Sequence, residues 1–374
     1  MRSTSCKIHF ETTIKKFLYF FAILLLLFSA SSGWARLRVN GEVISIDNIK
    51  YHIEVEIGSG GEGSVFRAIT EEQVEGRDVL IPIRGKAIKV FSEFSVDDSE
   101  SMAKFKTVLN SYTALAAVKP ALRLKLFPQI YVVTRDSTGV LKAQKWIPDS
   151  NVNLTPENMI VVSELGKKSL ADWLAKDAGS DPELRIREAH EVFDGILAEL
   201  VRLARAGFVH GDIKPSNVVL GYDGGVHLVD FGGAAPPLSL PSSRTMGYTA
   251  PEIVYAGSPM SVLTDLYSLG ATVLKVLDPQ IKPQVNYSIL GSVQEKLNDI
   301  DSQVRSLQKV NLTMEWIFIK GFIEAALTHD SSARAQKLSG LPVLRSLFHS
   351  QGISIGSPRT GASGVCRSHL QRHP

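Results

Sequence analysis

The stretch Phe208-Val209-His210-Gly211-Asp212-Ile213-Lys214-Pro215-Ser216-Asn217-Val218-Val219-Leu220 decides the fold, together with its continuation through Gly221-Tyr222-Asp223-Gly224-Gly225 to Val226-His227-Leu228-Val229-Asp230-Phe231-Gly232. Two short apolar runs, Val218–Leu220 and Val226–Val229, flank turn residues and predict a β-hairpin. Asp212, Lys214 and Asn217 precede the first strand and Asp230 follows the second, so all four gather at the open end. Two acids, an amide and a lysine there suit a divalent cation and a phosphate. Hard oxygen ligands hold the metal, a carboxylate receives a hydroxyl proton, and a cation meets the phosphate.

The chain has 374 residues, 44% hydrophobic and 21% charged, enough for one two-lobed domain or two small ones. Its net charge of +3 singles out no partner, and it carries no basic stripe of the kind nucleic-acid binders use. The two cysteines, Cys6 and Cys366, lie near the ends and exclude a disulfide framework or a cysteine-built metal site in the body.

The first 16 residues carry Arg2, Lys7, Lys15 and Lys16 against Glu11, and Phe17–Phe28 is an unbroken apolar run. Small residues follow, with Gly33-Trp34-Ala35 suiting cleavage before Arg36. A cleaved signal peptide over 1–35 is the expectation, with an uncleaved single-pass anchor as the alternative. Both put the body on the far side of a membrane, because the lysines stay inside. Contact with a membrane is expected only for the anchor.

Leu37–Ile46 predicts a hairpin turning on Asn40-Gly41. The strand Tyr51–Ile57 then meets Gly58-Ser59-Gly60-Gly61-Glu62-Gly63-Ser64-Val65, where glycines let the backbone bend and approach phosphates closely. A dinucleotide-binding loop would run into a helix; here Val65–Ile69 continues as a strand. Lys86–Phe91 is a second apolar strand carrying Lys89, reached through an insert, Thr70–Arg84. Helical spacing through Met102, Phe105, Val108, Tyr112 and Leu115 predicts a helix over about 99–118. Strands are expected at Phe127–Val133 and Met159–Val162, separated by a polar excursion, Asp136–Asn158. The helix Arg185–Ala206 has a one-sided apolar stripe and stops at Gly207, and Ser261–Leu277 is an apolar helix with one early acid, Asp265.

His210-Gly211-Asp212-Ile213-Lys214-Pro215-Ser216-Asn217 resembles the catalytic loop of the eukaryotic-like serine/threonine protein kinases, and Asp230-Phe231-Gly232 resembles their metal-binding triplet. The resemblance spans roughly Tyr51 to Phe348 with the motifs in order. It implies an α+β bilobal fold, a β-rich N-lobe over 51–163 and a mainly helical C-lobe over 164–350. Residues 36–50 are then a lead-in hairpin and 351–374 a disordered tail.

The resemblance also implies ATP and Mg²⁺ as cofactors and a protein substrate. Asp212 would orient the substrate hydroxyl, Lys214 would meet the γ-phosphate, and Asn217 and Asp230 would hold Mg²⁺. Lys89 would anchor ATP, in a pocket lined by Ile57, Gly58, Gly60, Gly63, Val65 and Ala87, with Ser163 as a small gatekeeper and Glu164 and Leu165 as backbone contacts for adenine. His210 is expected to support the triplet, Thr245 to bridge Asp212 and Lys214, Asp265 to cap the catalytic-loop amides, and Arg334 to pair with Glu252.

Two positions depart from the family. Alignment puts Ser111 where a helix glutamate should face Lys89, leaving Glu100 as the candidate partner. Gly211 stands where most protein kinases have arginine, a feature shared with small-molecule phosphotransferases. Such an enzyme, or a nucleotide-binding pseudokinase, is therefore the alternative reading. The lysine after Asp212 and the segment Ala250-Pro251-Glu252 favour protein substrates, and retention of all four polar groups favours catalysis.

Without an arginine at 211, a phosphate on Ser239, Ser242, Ser243 or Thr245 lacks the family's charge-assisted partner. Phosphatase treatment of freshly purified protein is therefore expected to leave its activity unchanged. A loss of activity tracking loss of phosphate from this segment, followed by mass spectrometry, would show that another cation such as Arg244 has taken over.

Overall fold

The computed structural model describes residues 41–70, 85–91, 94, 97–118, 124, 126–147, 153–242, 244–282 and 291–350. The leader, the tail and the insert over 71–84 lie outside the described residues. No helix among the described residues is long and apolar enough to cross a membrane.

The N-lobe is a closed barrel of seven strands: β1 (Val43–Ile46), β2 (Ile49–Gly60), β3 (Gly63–Thr70), β4 (Lys86–Val90), β5 (Gln129–Arg135), β6 (Leu141–Lys145) and β7 (Met159–Glu164). Their spatial order is β1-β2-β3-β4-β7-β5-β6, and β1 closes the barrel by pairing parallel with β6. Alternation sends Ile44, Ile46, Ile53, Ala68, Ile88, Val90, Val133, Ile160 and Val162 to the interior. The same alternation turns Ala87 and Lys89 to the other face of β4.

Two expectations change here. The first arm of the hairpin expected at Asn40-Gly41, residues 37–40, lies outside the described residues, and the first hairpin among the described residues turns on Asp47-Asn48, both with positive φ (51° and 66°). That two-residue loop matches the twist of its strands, and Asp and Asn tolerate the left-handed conformation. Residues 43–50, expected as a separate lead-in, are therefore part of the N-lobe sheet. Likewise, the polar excursion contains β6, whose Leu141 and Ala143 point inward while its lysines point out.

Helix α1 (Ser99–Ala117) starts at Asp98, whose carboxylate accepts from the amides of Glu100 and Ser101. It buries Phe105, Val108, Ser111, Tyr112 and Leu115.

The C-lobe is mainly helical: α2 (Leu170–Lys176), α3 (Pro182–Arg205), α4 (Pro251–Ala256), α5 (Val262–Leu277), α6 (Gly291–Leu307), α7 (Val310–Ala326), α8 (Ser331–Ser339) and α9 (Arg345–Ser350). Helix α5 is buried nearly all round, and α3 and α7 pack against it, with Phe193 edge-on to Phe322 at 4.6 Å. A small sheet, β8 (Lys168–Ser169), β9 (Val218–Leu220) and β10 (Val226–Leu228), carries the hairpin predicted from the sequence. The chain is thus an α+β, two-lobed fold.

Arg334 is fully buried and forks onto Glu252, with both N···O distances 2.8 Å. It also donates to the carbonyls of Thr328, Leu263 and His329, so the guanidinium is saturated. This pair ties α8 to the start of α4. Glu252→Gln is expected to destabilise the protein by about 3 kcal/mol, because it leaves a buried cation without its counter-charge. Denaturant unfolding measures this; a midpoint equal to wild type would contradict it.

His227 on β10 is buried with a carboxylate at each ring nitrogen, Glu199 Oε1 and Asp223 Oδ1, both at 3.1 Å. The Glu199 hydrogen bond outweighs burial and, with Asp223, raises the His227 pKa. A raised folded pKa gives stability that is complete below the ordinary histidine value, about 6.5, and lost as pH climbs through the folded value. The stability difference between wild type and His227→Gln is therefore expected to shrink as pH rises through that window. Unfolding free energies measured across it test the sign.

Candidate active site

The site lies between the lobes and is set by three backbone constraints. Asp265, buried on α5, accepts the amides of His210 (2.7 Å) and Gly211 (2.9 Å) and fixes the loop before Asp212. Burial raises the Asp265 pKa, against the opposing pull of His210 and the two amides. Gly211 adopts φ +79°, and a Cβ there would stand 2.7 Å from Met260 Sδ. The residue at 211 is thus glycine for backbone reasons too. Gly63 has φ +146°, and a Cβ there would meet the Val90 carbonyl at 1.9 Å, so only glycine lets the β2–β3 hairpin lie on β4.

His210 packs on Phe231 with centroids 5.1 Å apart. Its Nδ1 accepts from the Asp212 amide at 3.3 Å, and Nε2 lies 3.2 Å from the Val229 carbonyl, which selects the Nε2–H tautomer. The imidazole thereby ties the catalytic loop to the segment that leads from β10 into Asp230, the supporting position expected of it. Asp230 itself has left-handed backbone (φ 60°, ψ 75°), an uncommon conformation of the kind that clusters at functional sites.

Asp212 receives Thr245 Oγ1 on Oδ1 (2.8 Å), and Lys214 Nζ (2.8 Å) and Asn217 Nδ2 (3.0 Å) on Oδ2. Lys214 Nζ also reaches Thr245 Oγ1 at 3.0 Å, so Thr245 bridges the two as expected. Asn217 Nδ2 further donates to the Asp212 carbonyl at 2.9 Å, which commits the amide nitrogen and leaves Oδ1 as the side chain's oxygen donor.

Across the cleft, Lys89 Nζ contacts Asp230 Oδ1 at 2.6 Å and Glu62 Oε2 at 2.5 Å. Burial disfavours the ammonium, but the carboxylates of Asp230 and Glu62 beside it outweigh that and raise the lysine pKa. Burial also opposes ionisation of Asp230, yet Lys89 holds that carboxyl below its ordinary value. Glu62 is pushed up by burial, ahead of the lowering pull of Lys89 and the raising effect of Asp230.

Here the expected partner of Lys89 is corrected. Glu100 is 78% exposed and pairs with Lys104 at 2.8 Å, one helical turn along. Ser111 is buried but donates to the Thr107 carbonyl at 3.2 Å, within its own helix. The residue α1 directs into the site is Tyr112, whose hydroxyl donates to Asp230 Oδ1 at 3.2 Å. Burial above all raises the Tyr112 pKa and keeps the phenol protonated. Sequence reasoning missed both Glu62 and the role of Tyr112. The available signals were an acid placed between glycines at a hairpin tip, and a polar-headed aromatic on the buried stripe of α1.

Of the expected nucleotide-pocket residues, Val65 and Ala87 are half-buried on the cleft face, and Ile57 on the flap is 44% exposed. Gly58 and Gly60 pair with Val65 and Gly63 in the flap hairpin. At the hinge, Glu164 pairs with Lys86. The amide of Leu165 donates to the Gly85 carbonyl at 3.0 Å, extending the β4–β7 ladder by one bond. Ser163 lies opposite Ala87.

A family model described as "Protein kinase domain" matches residues 136–337. The probable serine/threonine-protein kinase PknB of Lactococcus lactis is 24% identical over 277 residues, 72% of this chain and 38% of that one. The serine/threonine-protein kinase drp72 of Corynebacterium efficiens is 31% identical over 233 residues, 61% of this chain and 38% of the relative. The chain thus spans little more than a third of the length of these curated relatives. A solved structure, the ROP18 kinase domain in complex with AMP-PNP and sucrose, aligns with a TM-score of 0.50 at 18% identity, covering 84% of this chain and 85% of that one. That likeness is one of fold.

Proposed function

The chain belongs to the protein kinase domain family, and from that premise we propose that it transfers a phosphoryl group from ATP to serine or threonine hydroxyls of a protein substrate. The observation that carries this reading is the meeting of Asp212, Lys214, Asn217 and Thr245 in one hydrogen-bonded cluster, with Lys89 and Asp230 paired across the cleft.

Asp212 is an acceptor-only carboxylate whose Oδ1 already takes the hydroxyl of a threonine, the chemistry required to align an incoming alcohol and receive its proton. Lys214, held at Asp212 Oδ2, brings a cation to where the transferring phosphoryl gathers negative charge. Lys89 anchors the bound nucleotide phosphates, and the flap Gly58–Val65 covers them. The Asp230 carboxylate and Asn217 Oδ1 are hard oxygen donors, a set that suits Mg²⁺, which takes one or two protein oxygens and completes its shell with phosphates and water. Bound there, Mg²⁺ would neutralise phosphate charge.

The half of the reading that concerns substrate rests on Ala250-Pro251-Glu252, held by the Arg334 pair, and on the lysine at 214. The leader's charge and apolar run support delivery of the domain across a membrane.

Full-length protein incubated with labelled ATP, Mg²⁺ and a generic protein substrate is expected to transfer label. Asp212→Asn or Asp230→Ala should lower the rate at least about a hundredfold, in line with loss of acid–base or electrostatic catalysis. Transfer that persists in EDTA, or that both variants retain, would overturn the proposal. Label appearing only on aminoglycosides or choline would point to a small-molecule phosphotransferase.

A further inference from the structure

In a site of this design the lysine needs a carboxylate to hold it, and helix α1 supplies none. Along α1, Glu100 faces solvent, Ser111 satisfies itself on Thr107, and Tyr112 offers a neutral phenol to Asp230. The carboxylate on Lys89 comes from the tip of the β2–β3 hairpin: Glu62 Oε2 lies 2.5 Å from Nζ. The contact is shaped on its other side as well. A Cβ built at Gly232 would stand 2.8 Å and 3.0 Å from the two Glu62 carboxylate oxygens, so the carboxylate rests on the bare backbone after Asp230.

Building on the activity proposed above, we infer that Glu62 is the positioning residue for Lys89, so that closure of the flap, rather than a helix-borne acid, completes the nucleotide site. An ammonium has three N–H donors. Glu62 takes one and Asp230 a second, at 2.5 Å and 2.6 Å, and the third is left for a phosphate oxygen. Two carboxylates from different elements fix the rotation of the ammonium better than one can. Because the first belongs to the cover of the phosphate site, covering the nucleotide and orienting its lysine become one event. Helix α1 is left a different task, holding Asp230 through Tyr112.

The rival reading is that Glu62 competes with phosphate for Lys89, and it predicts the opposite sign. Nucleotide dissociation constants, measured by calorimetry with AMP-PNP and Mg²⁺ on the full-length chain, and steady-state turnover separate the two. Glu62→Gln is expected to weaken AMP-PNP binding and to lower kcat by about tenfold each, the worth of one charge-assisted hydrogen bond. Glu62→Asp should recover part of both losses, since it restores a carboxylate on a shorter arm. Glu56→Gln removes the same charge from an exposed position on β2 and should change neither. Unchanged or tighter AMP-PNP binding by Glu62→Gln, or an equal loss in Glu56→Gln, would overturn the inference. Wild-type protein that binds AMP-PNP in a Glu62-dependent way yet transfers no phosphate would count against the proposed activity alone.

Discussion

The Asp265 carboxylate is the constraint on which the rest of the site depends. It is buried in the most enclosed helix of the C-lobe, where an unpaired charge would be prohibitive, and the backbone amides of His210 and Gly211 satisfy it. Those two bonds aim the following residue, Asp212, into the cleft. They also require the chain at 211 to take a left-handed turn, which glycine alone adopts at ease. From there His210 passes the constraint to Val229 and so to Asp230. Packing in the C-lobe thus dictates where two carboxylates stand, and neither can shift without exposing or orphaning a buried polar group.

The N-lobe meets this rigid base with a single cation. Strand alternation in β4 sends Ile88 and Val90 into the barrel and Lys89 out of it toward the cleft. The barrel is closed by β6, so the strand carrying the lysine has paired neighbours on both sides and little freedom of its own. The tip of the β2–β3 hairpin carries Glu62 to that same lysine, with Oε2 2.5 Å from Nζ. The glycine-rich hairpin and the charged partner of Lys89 are therefore the same piece of chain.

Most of the C-lobe site was legible in the sequence because its residues are set by local chemistry. The hairpin runs, the polar groups at its open end, the acid early in α5 and the Arg334–Glu252 pair all fall where spacing and family resemblance put them. The N-lobe was less legible, because its features rest on long-range pairing. Strand β6 is short and lysine-rich, and it becomes a strand by pairing with both β5 and β1. Its inward Leu141 and Ala143 were the only local sign of this. The turn between β1 and β2 was hard to read for a related reason. Asp47-Asn48 suits a tight turn, and the register of β1 against β2 is what fixes it there.

The partner of Lys89 shows where reasoning along a chain fails in kind. The family resemblance puts an acid on α1 opposite the lysine, and the helix does face the site. Its contribution there is a phenol, Tyr112, one residue beyond Ser111. Spacing within a helix says which residues share a face. It does not say which distant loop brings an opposite charge to the same point. Any buried ammonium needs anionic or dipolar partners to remain charged. Once the helix acids are accounted for elsewhere, the partner must come from another element that overlies β4, and the flap does. Glu62 is the only acid between Glu56 and Thr70, and it stands at the hairpin tip, so both composition and geometry single it out. The general point is one of charge balance: a missing partner in a motif is a reason to search every element that overlies the orphaned charge, before the motif itself is judged defective.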